Sequence, residues 1–253
     1  MRTALGVDLG ATWLRACVSG AGKEIWTTKV PAVPWRELPK TLSRLLRSHG
    51  LRRVGTITVG GTRLGGAADR AALRRALAPL ALRVKVVPDF EIAHLAAFGR
   101  GPGVLLAAGT GSVAFARGTN GKSKRAGGLG PLLADEGSGF WLGREALRDP
   151  VLSKNIPKAL ALAHAEDPVR STAALAPLVL SRSRRLREAA AGHLTALARE
   201  AAHGLEIAGR KPLVLHGSLF KNNALRASVL RRLGRGWVLI KPRVSAEKAA
   251  AGL

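Results

Sequence analysis

The first hundred residues alternate between runs typical of strands and runs typical of helices. Apolar and β-branched residues fill Thr3–Val7, Thr12–Val18 and Glu24–Val30, with glycine-containing turns between them, which predicts three strands. Leucines at helical spacing predict a helix over Pro34–His49. The elements predicted after it are a strand over Val54–Val59, a turn at Gly60-Gly61, a helix over Ala67–Leu80 that ends near Ala78 because of Pro79, a strand over Val84–Val87 and a helix over Phe90–Phe98.

A segment of glycine and proline, Gly99–Gly103, interrupts this pattern. We therefore place a domain boundary there, between residues 1–99 and 100–253. The strand pattern then starts again. Strands are predicted over Val104–Ala108, Ser112–Arg117, Leu213–Leu215 and Trp237–Ile240, and helices over a segment that ends at Leu147 and over Ile156–Ala165, Leu186–Ile207, Asn222–Leu233 and Ala246–Ala250.

The order of elements indicates the fold class. The order β-β-β-α-β-α-β-α in the first half is that of a ribonuclease-H-like domain, and the second half repeats it in plan. The sequence therefore predicts an α/β fold, a duplicated ribonuclease-H-like arrangement with two lobes. The last predicted helix is expected to return to the N-terminal lobe.

Composition narrows the class of protein. Cys17 is the only cysteine, which excludes an internal disulfide, a four-cysteine zinc site and a cysteine-ligated iron–sulfur cluster. The N-terminus lacks the pattern of a signal peptide, and no uncharged apolar stretch approaches the roughly 18 residues of a membrane span. We therefore expect a cytoplasmic protein that has no membrane partner.

The formal net charge of +25 leaves two interpretations open. The basic residues either meet an anionic partner, such as nucleotide phosphates or nucleic acid, or cover solvated helix faces. They are spread along the chain, and aromatic residues make up only 4%, so platforms for stacking bases are scarce. The composition favours solvated faces, and nucleic acid is not an expected partner.

Two glycine loops, each between two predicted strands, are candidate phosphate sites. They consist of Gly10, Ala11 and Thr12 in the first half and of Gly109, Thr110, Gly111 and Ser112 in the second. Glycine lets the backbone approach a phosphate, to which N–H and hydroxyl groups donate. Asp8, just before the first loop, has a carboxylate that suits Mg²⁺. Either loop alone is compatible with an ordinary hairpin turn, but two of them favour one shared polyphosphate.

Two acidic positions are candidate ligand groups. Asp89 follows Pro88 at the end of a predicted strand, where it is either a helix N-cap or a general base for an attacking hydroxyl. Asp135 and Glu136 lie within the glycine-rich segment Gly127–Gly143. This acidic pair either accepts hydrogen bonds from sugar hydroxyls or stabilises the start of a helix.

A third junction follows the predicted strand Leu213–Leu215. Gly217, Ser218 and Asn222 lie between this strand and the next helix. Small residues here would let an adenine and its ribose lie against the turn. Every α/β unit has such a junction, so this pattern alone does not distinguish a nucleotide site from a simple connection.

Taken in this order, these segments resemble the N-acetylglucosamine kinase branch of the actin-like ATPase superfamily, which includes the BadF/BadG/BcrA/BcrD ATPase family. The resemblance runs from Gly6 to the C-terminus, and its most specific part is Gly127–Gly143. It implies an actin-like ATPase fold with two lobes around a nucleotide cleft, and a kinase that uses ATP and Mg²⁺ to phosphorylate a sugar hydroxyl. An amino sugar, such as N-acetylglucosamine or glucosamine, is the substrate that it implies.

The resemblance also implies roles for individual residues. Asp89 would be the catalytic base, Asp135 would contact the sugar, and Gly60-Gly61 would border it. The two glycine loops correspond to the family's phosphate motifs, and Val214–Ser218 corresponds to its adenosine motif. A homodimer is one expected assembly.

Two departures from the family pattern keep an alternative open. Val113 and Leu129 stand where the family's kinases often have Asn and Trp near the sugar. A regulatory ATPase or nucleotide-binding protein without sugar kinase activity is therefore the alternative.

The iron–sulfur activators of this family ligate their cluster with cysteines, which Cys17 alone does not supply. A nuclease on this scaffold would need several clustered carboxylates, and the chain has only 16 acidic residues.

Overall fold

The computed structural model describes residues 3–10, 12–62, 64, 66–154, 156 and 164–253. These residues form two compact units. One contains the described residues up to Arg100 together with Pro242–Leu253, and the other contains Gly101–Lys241. No helix within the described ranges is long and apolar enough to cross a membrane.

The first unit is a five-stranded sheet with helices on both faces. Its strand order is β3-β2-β1-β4-β5, with β1, β2 and β3 antiparallel and with β4 and β5 parallel to β1. The strands are β1 (Thr3–Leu9), β2 (Trp13–Gly20), β3 (Lys23–Pro31), β4 (Val54–Gly61) and β5 (Ala81–Pro88); the helices are α1 (Leu38–Ser48), α2 (Ala67–Leu77), α3 (Asp89–Phe98) and, from the end of the chain, α10 (Ala246–Ala250), with a 3₁₀ turn at Ala78–Leu80.

Alternation along β1 assigns the two faces of this sheet. Leu5 and Val7 are fully buried in a core with the leucines of α1, which recur at positions 38, 42 and 46. Gly6 points to the opposite face, where α10 packs so closely that a Cβ on Gly6 would overlap backbone atoms of α10. Glycine in this strand is therefore a requirement of helix packing and not of a turn.

The second unit repeats the plan of the first. Its sheet has the order β10-β9-β6-β7-β8, with β6, β7 and β8 antiparallel and with β9 and β10 parallel to β6. The strands are β6 (Gly103–Ala108), β7 (Ser112–Arg117), β8 (Ser123–Gly127), β9 (Lys211–His216) and β10 (Trp237–Leu239); the helices are α4 (Gly139–Arg148), α5 (Pro150–Ser153), α6 (Pro168–Ala173), α7 (Ala176–Arg182), α8 (Arg184–Ala202) and α9 (Asn223–Leu233), with a 3₁₀ turn at Ser218–Lys221.

The two sheets confirm the predicted fold class. In each unit three antiparallel strands are followed by two strands parallel to the first, which is the ribonuclease-H-like order. In the second unit, α8 packs on the sheet through Ala190, Leu194 and Ala198, all fully buried. The alanines bring the helix axis close to the sheet, since they add little bulk between the two layers.

Several predicted boundaries were wrong. Gly60 and Gly61 were predicted as a turn, but they are the last residues of β4, because they pair with β1 and β5. The helix predicted from Pro34 begins at Leu38, with Pro39 in its first turn, where a missing N–H group costs nothing. The hairpin turn between β2 and β3 was predicted over Ser19–Gly22. It is only Ala21-Gly22, both at positive φ, as a two-residue turn of type I′ requires.

Some elements were not predicted from the sequence. The strand β8 reads Ser-Lys-Arg-Ala-Gly, which lacks alternating apolar residues because β8 is an edge strand. The short helices α6 and α7 each carry a proline in the first turn and were not predicted as helices. The helix predicted over Ile156–Ala165 falls mostly on residues outside the described ranges.

Candidate functional site

The carboxyl edge of the first sheet brings together three of the predicted site positions. Asp8 on β1 pairs with Gly60 on β4, and Gly61 pairs with Pro88 on β5, directly before Asp89. Asp8 and Asp89 are thus separated by one intervening strand, which corresponds to about 10 Å across the sheet. The carboxyl edge of parallel strands is where open α/β sheets place their ligands.

Asp89 is the first residue of α3 and is half-buried. It is not the N-cap, which is Pro88; instead, its Oδ1 accepts a hydrogen bond of 2.9 Å from the N–H of Phe90. The N–H group of residue 90 is one of the donors that a helix start leaves without an intrahelical partner. Asp89 is therefore held at the helix start through one carboxylate oxygen.

Gly60 sets the position of α3 relative to β4. A Cβ at Gly60 would collide with three carbon atoms of the Ile92 side chain, which lies on α3 one turn after Asp89. The missing side chain lets α3 approach the strand, and this approach places Asp89 at the sheet edge. Gly61 has a similar role, since a Cβ there would lie 2.8 Å from Leu64 Cδ1. Their predicted contact with a sugar stays a prediction.

Asp8 has a basic neighbour, Arg15, that was not predicted from the sequence. Arg15 Nη1 lies 3.4 Å from Asp8 Oδ2, and Asp8 keeps 20% of its side chain exposed. The contact follows from the register of β1 and β2, in which Asp8 and Arg15 are directly paired. The signal in the sequence was a hairpin of predictable length, which places residues 8 and 15 opposite each other.

The first glycine loop joins β1 to β2. The Gly10 N–H donates to the carbonyl oxygen of Trp13 at 3.0 Å. Thr12 is exposed, and its backbone carbonyl oxygen accepts a hydrogen bond from the N–H of Ala32. Ala11, predicted with them as a phosphate ligand, lies outside the described residues. The Trp13 ring is 40% exposed beside this loop, and its centroid lies 4.1 Å from the Lys29 ammonium. This cation–π pair, too, was not predicted from the sequence.

The second glycine loop, Gly109–Ser112, joins β6 to β7. Its carbonyl oxygens at Gly109 and Thr110 accept the N–H groups of the first two residues of α4, at 2.7 and 3.0 Å. Among the described residues, no protein group accepts a hydrogen bond from the N–H of Thr110 or of Gly111. Two adjacent N–H groups of this kind in a turn are the arrangement that binds anions.

Ser112 has a different environment from the rest of its loop. The side chain is buried, and its hydroxyl donates to the carbonyl oxygen of Glu136 at 2.8 Å. The Thr110 side chain, by contrast, is exposed. Of the two hydroxyl residues in this loop, only Thr110 is exposed, whereas the Ser112 hydroxyl fastens the loop to the segment around Glu136.

The predicted adenosine segment lies beside this loop at the same sheet edge. β9 runs parallel to β6, with His216 paired to Ala107, so Gly217 follows β9 next to Ala108. A Cβ at Gly217 would collide with the Ala108 backbone, and Ser218 Oγ would lie 3.8 Å from a Cβ at Gly109. Asn222 is the N-cap of α9, where its Oδ1 accepts the Leu225 N–H at 2.9 Å.

The two positions that depart from the family pattern also lie in this unit. Val113 packs beneath Gly128, because a Cβ at Gly128 would lie 2.9 Å from Val113 Cγ2. Leu129 is 56% exposed, and Leu132 and Leu133 nearby are exposed as well. Gly127, Gly128 and Gly130 all have positive φ. The glycine-rich turn therefore uses backbone conformations that glycine adopts more easily than other residues.

Comparison with known proteins gives one family match and one relative by sequence. Residues 5–251 match the BadF/BadG/BcrA/BcrD ATPase family. An N-acetylmuramic acid/N-acetylglucosamine kinase of Clostridium acetobutylicum is 38% identical over 66 residues. That match covers 26% of this chain and only 22% of the relative, about a fifth of its length.

Solved structures show the same fold at low sequence identity. A proposed N-acetylglucosamine kinase from Chromobacterium violaceum has a TM-score of 0.77 and 24% identity, and the alignment covers 99% of this chain and 98% of that one. A second, from Porphyromonas gingivalis, has a TM-score of 0.68 and 20% identity over 100% and 98% of the two chains. A ROK hexokinase from Thermus thermophilus has a TM-score of 0.62 and 21% identity over 98% and 97%.

Proposed function

Because this chain belongs to the BadF/BadG/BcrA/BcrD ATPase family, we propose that it transfers the γ-phosphoryl group of ATP to a sugar hydroxyl. The observation that carries the proposal is the common sheet edge of Asp8 and Asp89 in the first unit. Phosphoryl transfer requires a carboxylate that accepts the proton of the attacking hydroxyl and a second group that organises the phosphates and their metal ion.

In the proposed mechanism, Asp89 accepts the proton of the sugar hydroxyl as the hydroxyl oxygen attacks the γ-phosphorus and the bond to ADP breaks. One Asp89 oxygen receives the Phe90 N–H, which orients the carboxylate at the start of α3. Orientation matters because a general base acts within hydrogen-bond distance of the proton that it removes.

Magnesium is the metal ion that this site would take with ATP. Mg²⁺ is usually held by one or two carboxylates and by the substrate phosphates, and it keeps several waters. Asp8 fits this role, since its carboxylate is partly exposed at the sheet edge. Bound there, Mg²⁺ would neutralise charge on the phosphates. Arg15 adds a positive charge beside Asp8 and would restrain its carboxylate when no metal ion is bound.

The second unit has candidate nucleotide-binding groups of its own. The N–H groups of Thr110 and Gly111 and the exposed Thr110 hydroxyl would donate hydrogen bonds to phosphate oxygens. Gly217 and Ser218, beside the same loop, would contact the adenosine. In the first unit, Gly10 and Thr12 are the positions proposed to contact phosphate.

The substrate class proposed is an amino sugar, such as N-acetylglucosamine or glucosamine. This proposal is supported by the sequence match to the N-acetylmuramic acid/N-acetylglucosamine kinase of Clostridium acetobutylicum. That match spans about a fifth of the relative. Gly60-Gly61, Asp89 and Asp135 are the residues proposed to border it. A homodimer and a cytoplasmic location remain predictions.

The test is ATP turnover of the purified chain with a panel of sugars, measured by a coupled ADP assay. We expect an amino sugar to stimulate ADP release and to yield a sugar phosphate detectable by mass spectrometry. ATP hydrolysis that no sugar stimulates would favour the second candidate function, a regulatory ATPase. This candidate is motivated by Val113 and the exposed Leu129 at the glycine-rich turn.

Asp8→Asn is expected to raise the Mg²⁺ concentration for half-maximal turnover by about tenfold or more, because it removes the charged metal ligand. The measurement is a Mg²⁺ titration at saturating ATP and sugar. Asp69→Asn is the matched control, since Asp69 is an acid in the first turn of α2 in the same unit. An unchanged Mg²⁺ requirement in Asp8→Asn would remove the metal assignment.

A further inference from the structure

Asp135 lies beneath the second glycine loop and not in the open. Its side chain is buried, with 7% of the residue exposed. Its Oδ1 accepts the N–H of Ser112 at 3.4 Å, a long hydrogen bond. A Cβ at Gly111 would lie 2.7 Å from Asp135 Oδ2, and the three nearest atoms to it all belong to the Asp135 side chain. Gly111 is therefore a glycine because the Asp135 carboxylate fills the space of a side chain.

The backbone around Asp135 is also built for this contact. Asp135 has φ of +71°, a left-handed conformation that aspartate and asparagine tolerate better than most residues. The following residues continue the attachment, because Glu136 accepts the Ser112 hydroxyl and Gly139 donates to Gly109. The loop is thus fastened from Gly109 to Ser112 by one short segment that starts at Asp135.

The electrostatics of this carboxylate agree with a structural contact. Burial raises the pKa of Asp135 above its usual value, against the opposing effect of the Ser112 N–H; the nearby Glu136 charge raises the pKa further. A group that binds a substrate by its full negative charge would gain from the opposite environment.

We propose that Asp135, besides its proposed place beside the sugar, positions the second glycine loop for ATP, and that its removal weakens nucleotide binding. This inference rests on the proposed function, in which Gly109–Ser112 holds ATP phosphates. Asp135 fixes the turn in the conformation that presents the N–H groups of Thr110 and Gly111 to a phosphate. It is a positioning residue, and it acts on the nucleotide through Gly111 and Ser112.

The test is a double-mutant cycle read by calorimetric titration of the full chain with the ATP analogue AMP-PNP and Mg²⁺. Gly111→Ala is expected to weaken AMP-PNP binding about tenfold, because its methyl group displaces the carboxylate. Asp135→Gly, in which glycine can adopt the same backbone conformation, is expected to weaken AMP-PNP binding by about the same factor. The double variant should lose about tenfold and not about a hundredfold, since the methyl group added at position 111 fits the space that the carboxylate vacates.

Two control variants sharpen the result. Asp135→Asn keeps an acceptor for the Ser112 N–H and tolerates the backbone conformation, so its AMP-PNP affinity should stay within about twofold of wild type. Gly236→Ala, at a site with open space around the new methyl group, should have no effect. Circular dichroism of each variant establishes that it is folded.

The outcomes separate this inference from the proposed function. Wild-type affinity in Asp135→Gly, or additive losses in the double variant, would overturn the positioning role alone. A rise in the KM for the sugar without a change in AMP-PNP affinity would leave Asp135 as a sugar ligand alone and would overturn the positioning role. If the wild-type chain does not bind AMP-PNP, the proposed function fails together with this inference.

The pH dependence of stability gives an independent readout. Because the pKa of Asp135 is higher in the folded chain than in the unfolded chain, its effect on stability is most favourable below about pH 4 and becomes unfavourable as the pH rises through the folded value. Asp135→Asn cannot ionise, so its melting temperature relative to wild type should increase from about pH 4 to about pH 7. A constant difference would mean that the carboxylate is not buried in solution.

Discussion

Replacing Asp89 with asparagine is expected to lower the sugar-dependent turnover number by about 10²–10⁴-fold, with little change in nucleotide affinity. Asparagine keeps an oxygen for the Phe90 N–H, so the start of α3 should be preserved. It has no basic group for the proton of the sugar hydroxyl. The loss should therefore fall on kcat and not on the affinity for AMP-PNP, because Asp89 lies at the junction of β5 and α3 and not in a glycine loop.

Glu91→Gln is the matched control for this measurement. Glu91 is the other acidic residue in the first turn of α3, and the same amide substitution removes the same charge from the helix start. Steady-state kinetics of both variants are measured with the sugar identified by the panel. They distinguish the loss of a catalytic base from a general effect of removing a negative charge at the helix start. Wild-type turnover in Asp89→Asn, or an equal loss in Glu91→Gln, would contradict the assignment.

The residues that local patterns predicted are those at the ends of strands. The hydrophobic runs and the glycine turns between them located β1, β6 and β9, and with them Asp8, Gly109–Ser112 and Gly217. Strand order then follows from the ribonuclease-H-like plan, which puts the ends of parallel strands at one edge. The candidate sites within each unit could be predicted because each of them depends on only one or two neighbouring strands.

Contacts between distant segments could not be read from the sequence. Gly60 was predicted as a turn because two consecutive glycines usually mark one, whereas the real constraint is Ile92 on α3. The local pattern of glycine and acid around Asp135 does not show what lies against its carboxylate, and its predicted contact with a sugar stays a prediction. Its neighbour, Gly111, is separated from it in the chain by β7 and β8, and the contact depends on how that segment folds back.

Gly6 is the clearest case of a residue whose role lies outside its local sequence. Its position just before the first glycine loop suggests a part in that loop, but it is in the middle of β1 and packs against the far end of the chain. The helix α10 lies against it, and three further contacts hold the end of the chain there: Ser19 Oγ to the Ala251 carbonyl oxygen, Lys248 to Glu24 at 2.8 Å, and the Arg243 N–H to the Ala96 carbonyl oxygen at 3.0 Å.

Gly6→Ala is expected to destabilise the first unit by about 3 kcal/mol or to release α10 from the sheet. The added methyl group would overlap backbone atoms of Glu247, Ala250 and Ala251, which cannot move aside by changing a rotamer. If α10 is released, the buried surfaces of Val87, Ile92 and Ala250 become exposed, and Asp8, two residues from the substitution, loses its fixed position. Both stability and kinase activity should then fall together.

Urea unfolding and limited trypsin digestion distinguish these two outcomes. A lower unfolding midpoint with slow cleavage would indicate a strained but docked helix, whereas rapid cleavage after Arg243 or Lys248 would indicate release of the C-terminal segment. Gly192→Ala in the interior of α8 is the control: its methyl group meets open space, and alanine should stabilise that helix by about 0.5–1 kcal/mol. A wild-type midpoint and wild-type protease resistance in Gly6→Ala would show that α10 does not pack against β1 as described, and the position of Asp8 would then have to be explained without this helix.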